Sequence, residues 1–241
     1  RVYTDEDQIP APYAVAVGHV RQRLDRSRLR EALDAPGDAV FYGVATIDTG
    51  IAYDWAAMPP FLGVDVWSRP DESFRPLDAV EGIFDGIGLQ AVNTVAREVR
   101  ARDFHPETYQ FPPSAWYDGP VAGVVLRNKR GDRATLSNRA VLPEAHEHTA
   151  TPSEESVGDF ARELATSARF ERVATDLERR DEPVTVEGVH QRVLAVVYRE
   201  EATRLFDRVR VHDDERFRPR VDLSTFRGAV AERTRAFLAE R

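Results

Sequence analysis

Cysteine is absent from the 241 residues, which excludes disulfides, thiolate nucleophiles and cysteine-based zinc sites. Lysine is nearly absent: Lys129 is the single one, and every other basic residue is arginine. Arginine stays protonated, so a mechanism that needs an amine nucleophile has only Lys129 within this chain. No apolar run approaches the length of a membrane span, and no charged segment leads into an apolar one as in a secretory signal. Nothing calls for an oxidising compartment, so the expected location is the cytoplasm. The glycine-rich phosphate loop, the G-x-S-x-G elbow and the H-E-x-x-H zinc signature are missing too.

What is present describes a folded chain. Hydrophobic residues make up 42% and charged residues 31%, with a net charge of −8. That apolar content supports a buried core. The negative balance argues against non-specific nucleic-acid binding by the whole surface and leaves room only for a local basic groove.

Along the chain the texture changes twice. Residues 10–35 read as helix, with Pro10 and Pro12 at the start, Val15, Val17, Val20 and Leu24 at roughly helical spacing, and a second short helical piece from Ser27 to Leu33. Val40 to Val44 and Phe61 to Trp67 read as strands, 76–88 as helix and Val92 to Val95 as a short strand. Val121 to Arg127 and Arg133 to Leu136 form a strand pair around the turn Asn128 to Asp132. Residues 144–155 are polar and aperiodic, hence a linker. Beyond it the pattern is helical, with Ser153, Thr185 and Asp222 as caps. The expected organisation is an α+β domain over 1–145 followed by a helical domain over 150–241.

Two segments carry a resemblance. The first runs Val40-Phe41-Tyr42-Gly43-Val44, then Ile51-Ala52-Tyr53-Asp54-Trp55, then Phe61-Leu62-Gly63-Val64-Asp65-Val66-Trp67. The second runs Gly119 to Asn128 and then Gly131-Asp132-Arg133-Ala134-Thr135-Leu136. In order and spacing they are similar to motifs III, IIIa, IV and V of the ATP-dependent RNA ligases, members of the covalent nucleotidyltransferase superfamily. The resemblance implies an ATP-grasp-like ligase domain built of antiparallel sheets, with ATP and Mg²⁺ as cofactors and RNA as partner. It implies joining of RNA ends through lysyl-AMP and RNA-adenylate intermediates.

The groups that this chemistry uses are missing. No lysine precedes Asn128, so the motif I nucleophile is expected upstream of Arg1 or not at all. Without the strand that bears it, an exposed sheet edge is expected. Val44 stands at the motif III acid, Ala122 at the motif IV acid, Thr135 at the second basic position of motif V, and Val64 at the motif IIIa aromatic. No catalytic or metal-binding residue is therefore expected among the motif positions. Gly43, Tyr53, Asp65, Gly123, Arg127 and Arg133 remain as candidates for nucleotide or RNA contact, with Trp55 as a further stacking aromatic. Lys129 reads as a turn residue. The His146 and His148 cluster, with Glu144 and Glu147, reads as polar linker, and Asp213, Asp214 and Glu215 read as a solvated turn. Three readings stay open: a pseudoenzyme that at most holds nucleotide or RNA ends, an active ligase completed from upstream, and an interaction module whose helical tail meets an unknown partner.

Overall fold

The computed structural model describes residues 9–33, 35–128, 131–142, 154–211 and 214–241. The protein is mixed α/β, with small antiparallel sheets and a C-terminal helix. Among the described residues no helix is long and apolar enough to cross a membrane. The chain divides into two compact units. One takes 16–46 and 50–145; the other takes 1–15, 47–49 and 146–241.

The first unit contains α1 (Ala14–Arg23) from Ala16 onward and α2 (Arg26–Ala32), then β1 (Ala39–Ala45), β2 (Phe61–Ser68) and β3 (Ser73–Phe74). It continues with α3 (Leu77–Gly86) and the hairpin β4 (Gly123–Arg127) and β5 (Arg133–Ser137). Asp25 caps α2, its side chain accepting from the backbone N–H groups of Ser27 and Arg28 at 3.0 Å; this satisfies donors that the first helical turn leaves open. α3 ends where Ile87 and then Gly88, at φ +80°, turn the chain. A side chain at Gly88 would meet the Arg23 carbonyl at 2.7 Å, so glycine is required twice over. Strands β1, β2 and β3 form one antiparallel sheet in that order, and β4 and β5 form a separate two-stranded one.

β2 carries a bulge that decides which way its side chains face. Tyr42 lies opposite Asp65 while Gly43 lies opposite Gly63, so Val64 is one residue too many. A bulge interrupts the two-residue alternation. Phe61 and Gly63 before it, and Val66 after it, therefore all turn toward Phe84 of α3, which Phe41 of β1 also meets edge-on at 5.9 Å. Phe84, Val80 and Ile87 are at most 1% exposed, and their burial stabilises this layer by roughly 1.5–3 kcal/mol per large side chain. Asp65 and Trp67 are left on the opposite face.

The second unit holds α4 (Glu154–Leu164), α5 (Ser167–Arg179), α6 (Val186–Glu200), α7 (Ala202–Leu205), β6 (Phe206–Val211), β7 (Asp214–Pro219) and α8 (Leu223–Glu240). Thr185 and Asp222 cap α6 and α8 by accepting from Gly188 N–H (3.1 Å) and Thr225 N–H (2.6 Å). The Thr225 backbone bond, with help from its side chain, holds the Asp222 carboxyl below the ordinary range. Val157, Phe170, Val193 and Phe226 are 1% exposed or less and form one core with their neighbours.

Several expectations differ from the fold. The C-terminal unit is not purely helical: β6 and β7 pair as an antiparallel hairpin between α7 and α8. Asp214 and Glu215 lie in β7 and not in a turn. The alternation Phe206-Asp207-Arg208-Val209-Arg210-Val211 is the strand signal, set between strongly helical flanks. Residues 92–95 do not form a strand; Gly63 bridges only Ala91 there, and Val95 is 52% exposed. The apolar series from Val157 to Phe170 is two helices, because Thr166 caps a new one through Arg169 N–H. The Ser153 cap and linker residues 144–153 lie outside the described residues, while Glu154 and Glu155, read as linker, open α4.

Residues 47–49 are an interior graft of the chain onto this unit. Asp48 is buried (9% exposed). Its N–H donates to the Arg199 carbonyl at 2.8 Å, and its carboxylate accepts from the Thr203 N–H at 3.2 Å and from the Thr203 hydroxyl. Nearby, Glu200 (8% exposed) accepts from Arg172 at 2.6 Å and Arg169 at 3.2 Å. Burial pulls Arg199 down to about 10, against the opposing pull of Glu200.

Candidate functional site

The bulge at Val64 aims Asp65 away from the apolar core, yet Asp65 is only 3% exposed. A carboxylate so placed needs partners. They come from the β4–β5 hairpin. Arg127 and Arg133 are cross-strand partners at its turn end, an arrangement that is unfavourable for like charges unless an acid lies between them. Asp65 is that acid: Oδ1 accepts from Arg127 Nη1 at 2.8 Å and Oδ2 accepts from Arg133 Nη2. Arg127 also donates Nη2 to the Arg75 carbonyl at 2.5 Å. Phe74 of β3 completes the cluster, with the Arg133 guanidinium 3.8 Å from its ring centroid and Trp67 edge-on at 4.8 Å.

Three of the six candidate residues thus meet in one cluster, Asp65, Arg127 and Arg133. The other three do other things. Gly43 is a packing glycine: a Cβ there would enter the Phe61 ring and lie 2.8 Å from the Leu62 carbonyl. Gly123 is likewise needed for close approach of the strands, since its Cβ would lie 2.8 Å from the Leu136 carbonyl. Tyr53 belongs to a separate aromatic group, edge-on to Trp55 at 5.6 Å and to Tyr117 at 5.4 Å. Burial pushes the Tyr53 phenol above its ordinary value, and Tyr117 adds to the rise. Phe74 and Arg75, which meet the arginines of the cluster, were not legible as site residues. No motif pointed to them.

Val44 is 51% exposed on β1, Thr135 is exposed on β5 opposite Val125, and Ala122 is half-buried just before β4. Lys129, His146, His148, Glu144, Glu147 and Asp213 lie outside the described residues. A groove of about 630 Å³ runs between α2 and α3, lined by Arg28, Ala79, Gly82 and Ile83 among others, and includes none of the motif positions.

The donor set does not fit a divalent cation. Among the described residues no group of three or more His, Cys, Asp or Glu could hold one. Asp65 spends both oxygens on guanidinium groups, and the aliphatic and hydroxyl side chains at 44, 122 and 135 are poor ligands for a hard cation. What the arrangement does chemically is hold charge: two cations and one carboxylate leave the cluster with a surplus positive charge, and Arg133 is its more open member at 34% exposed. Compared with family models, with curated proteins and with solved structures, the chain matches none.

Proposed function

We propose that this chain is an RNA-ligase-like scaffold that no longer adenylates and at most holds a nucleotide or an RNA end. The observation that carries the reading is the mutual occupation of Asp65, Arg127 and Arg133. In the family that the motifs resemble, a lysine amine attacks the α-phosphate of ATP, carboxylates hold the metal, and basic residues offset the growing phosphate charge. That step needs an amine able to lose its proton and acids free to bind a cation. Val44, Ala122 and Thr135 supply neither, and each such loss costs about 10²–10³ in rate. The two arginines that remain share one carboxylate, so the positive charge left for a phosphate is small, and its binding is weak and screened by salt.

Incubation with α-labelled ATP and Mg²⁺, followed by a denaturing gel, tests the loss of adenylation. No labelled band at 27.2 kDa is expected; a covalent adenylate on the chain overturns the reading. Fluorescence anisotropy with a 5′-phosphorylated single-stranded RNA tests the rest. Weak binding that falls with salt and is lost in Arg133→Ala is expected. No binding at low salt removes the RNA half of the proposal.

A further inference from the structure

We propose that β1 is a docking edge for a second copy of this chain, joined to it as an antiparallel strand pair across a two-fold axis. The inference is independent of any ligase chemistry. β1 is the outer strand of its sheet, and among the described residues no strand pairs with its far side. Tyr42 and Val44 are 46% and 51% exposed, and Gly43 between them is exposed as well. A strand with one covered face alternates buried and open residues; three open residues in a row mean that the edge itself is open. Glycine has no side chain, so the exposure at Gly43 is exposure of the main chain that would form the next ladder.

The composition of this edge matches its own copy. From Ala39 to Ile47 there is no charged residue and no proline, in a chain that is 31% charged. Natural edge strands carry such residues to block pairing, and β1 carries none. Charge also selects the direction. Antiparallel pairing centred on Tyr42 puts Val44 across from Val40 and Asp38 across from Thr46, so no like charges meet. Parallel pairing in register would set Asp38 against Asp38. Val40, Tyr42 and Val44 lie on the same face, and in the antiparallel arrangement Tyr42 meets Tyr42 while Val44 meets Val40, aromatic and β-branched cross-strand pairs that are favourable. The edge is seven residues long, which places the contact at the small end of specific interfaces, below about 1,200 Å², and the dimer among the weak ones.

Sedimentation velocity of the full chain over about three decades of concentration tests this. The expected result is a shift from a 27.2 kDa species to one of twice that mass, and Val44→Arg, at an exposed position, raises the dissociation constant at least about tenfold with an unchanged melt. Hydrogen exchange gives a second reading on the unmodified protein: amides of 40–45 slow as concentration rises, while those of β4 and β5 do not. A chain that stays at 27.2 kDa throughout, or a dimer whose β1 amides exchange as fast as in the monomer, overturns the proposal. If Val44→Arg fails to fold, the exchange experiment alone decides.

Discussion

Replacing Asp65 by asparagine keeps the volume of the side chain and removes its charge. Asparagine can still accept from one arginine, but Arg127, whose side chain is only 16% exposed, loses its counter-charge in a place that water barely reaches. Removing one partner of a buried pair costs roughly 3–5 kcal/mol. Arg133 is 34% exposed and recovers part of its solvation, so the loss is set mainly by Arg127, and about 3 kcal/mol is expected. In a unit of this size that lowers the melting temperature by roughly 10 °C. The assay is favoured by the sequence. All three tryptophans, Trp55, Trp67 and Trp116, belong to the first unit. Urea unfolding followed by tryptophan fluorescence therefore reports that unit, and circular dichroism at the helical band reports mainly the other. Asp65→Asn moves the fluorescence midpoint and leaves the second transition in place. Adding Arg127→Met to Asp65→Asn recovers part of the loss, with a coupling of about 1–2 kcal/mol, since the unpaired charge is gone. A fluorescence loss under about 0.5 kcal/mol refutes the reasoning, because that is the size of an ordinary surface change.

Gly43→Ala drives a methyl group into the Phe61 ring and toward the Leu62 carbonyl; overpacking of this kind costs about 1–3 kcal/mol, read in the same fluorescence titration. Asp48→Ala strips the Thr203 N–H and hydroxyl of their acceptor in the helical unit, and the helical dichroism transition falls by roughly 1–3 kcal/mol while fluorescence holds. A chain cut to 153–241 lacks Asp48 altogether and melts below the intact protein by at least as much. Tyr53 and Tyr198 are both raised above 10.0 chiefly by burial. Both are neutral in the folded and unfolded states well below pH 10, and above it the unfolded chain ionises first. Their contribution is therefore present below the unfolded value and lost as pH rises through the folded one. Absorbance of tyrosinate against pH shows them as the late component, and early titration of all seven tyrosines together contradicts it.

Local signals were readable where local physics decides. The extents of β1 and β2 follow from their apolar runs, the β4–β5 hairpin from its strand pair and polar turn, and the caps at Thr185 and Asp222 from residues whose side chains reach the next turn. The corrections have an equally plain origin. Val92 to Val95 looks like a strand by composition, but the side of β2 where it would pair is engaged at one residue only, Ala91. The β6–β7 hairpin has its alternation in the sequence, overshadowed by helix on both sides. The candidate site was half legible. The sequence offers Asp65, Arg127 and Arg133 as candidates for nucleotide or RNA contact, and in the fold both arginines pair with Asp65.

The chain by itself determined the inventory: one lysine, no cysteine, aliphatic or hydroxyl groups at 44, 122 and 135, and an uncharged stretch from Ala39 to Ile47. Those are facts of covalent structure, and no folding changes them. Only the tertiary structure decided the pairings. Asp65 is 62 and 68 residues from its arginines, and a one-residue bulge at Val64, which no propensity marks, turns it toward them. Hydrogen bonds and ion pairs between distant segments depend on register and burial, which the sequence encodes only through the whole fold.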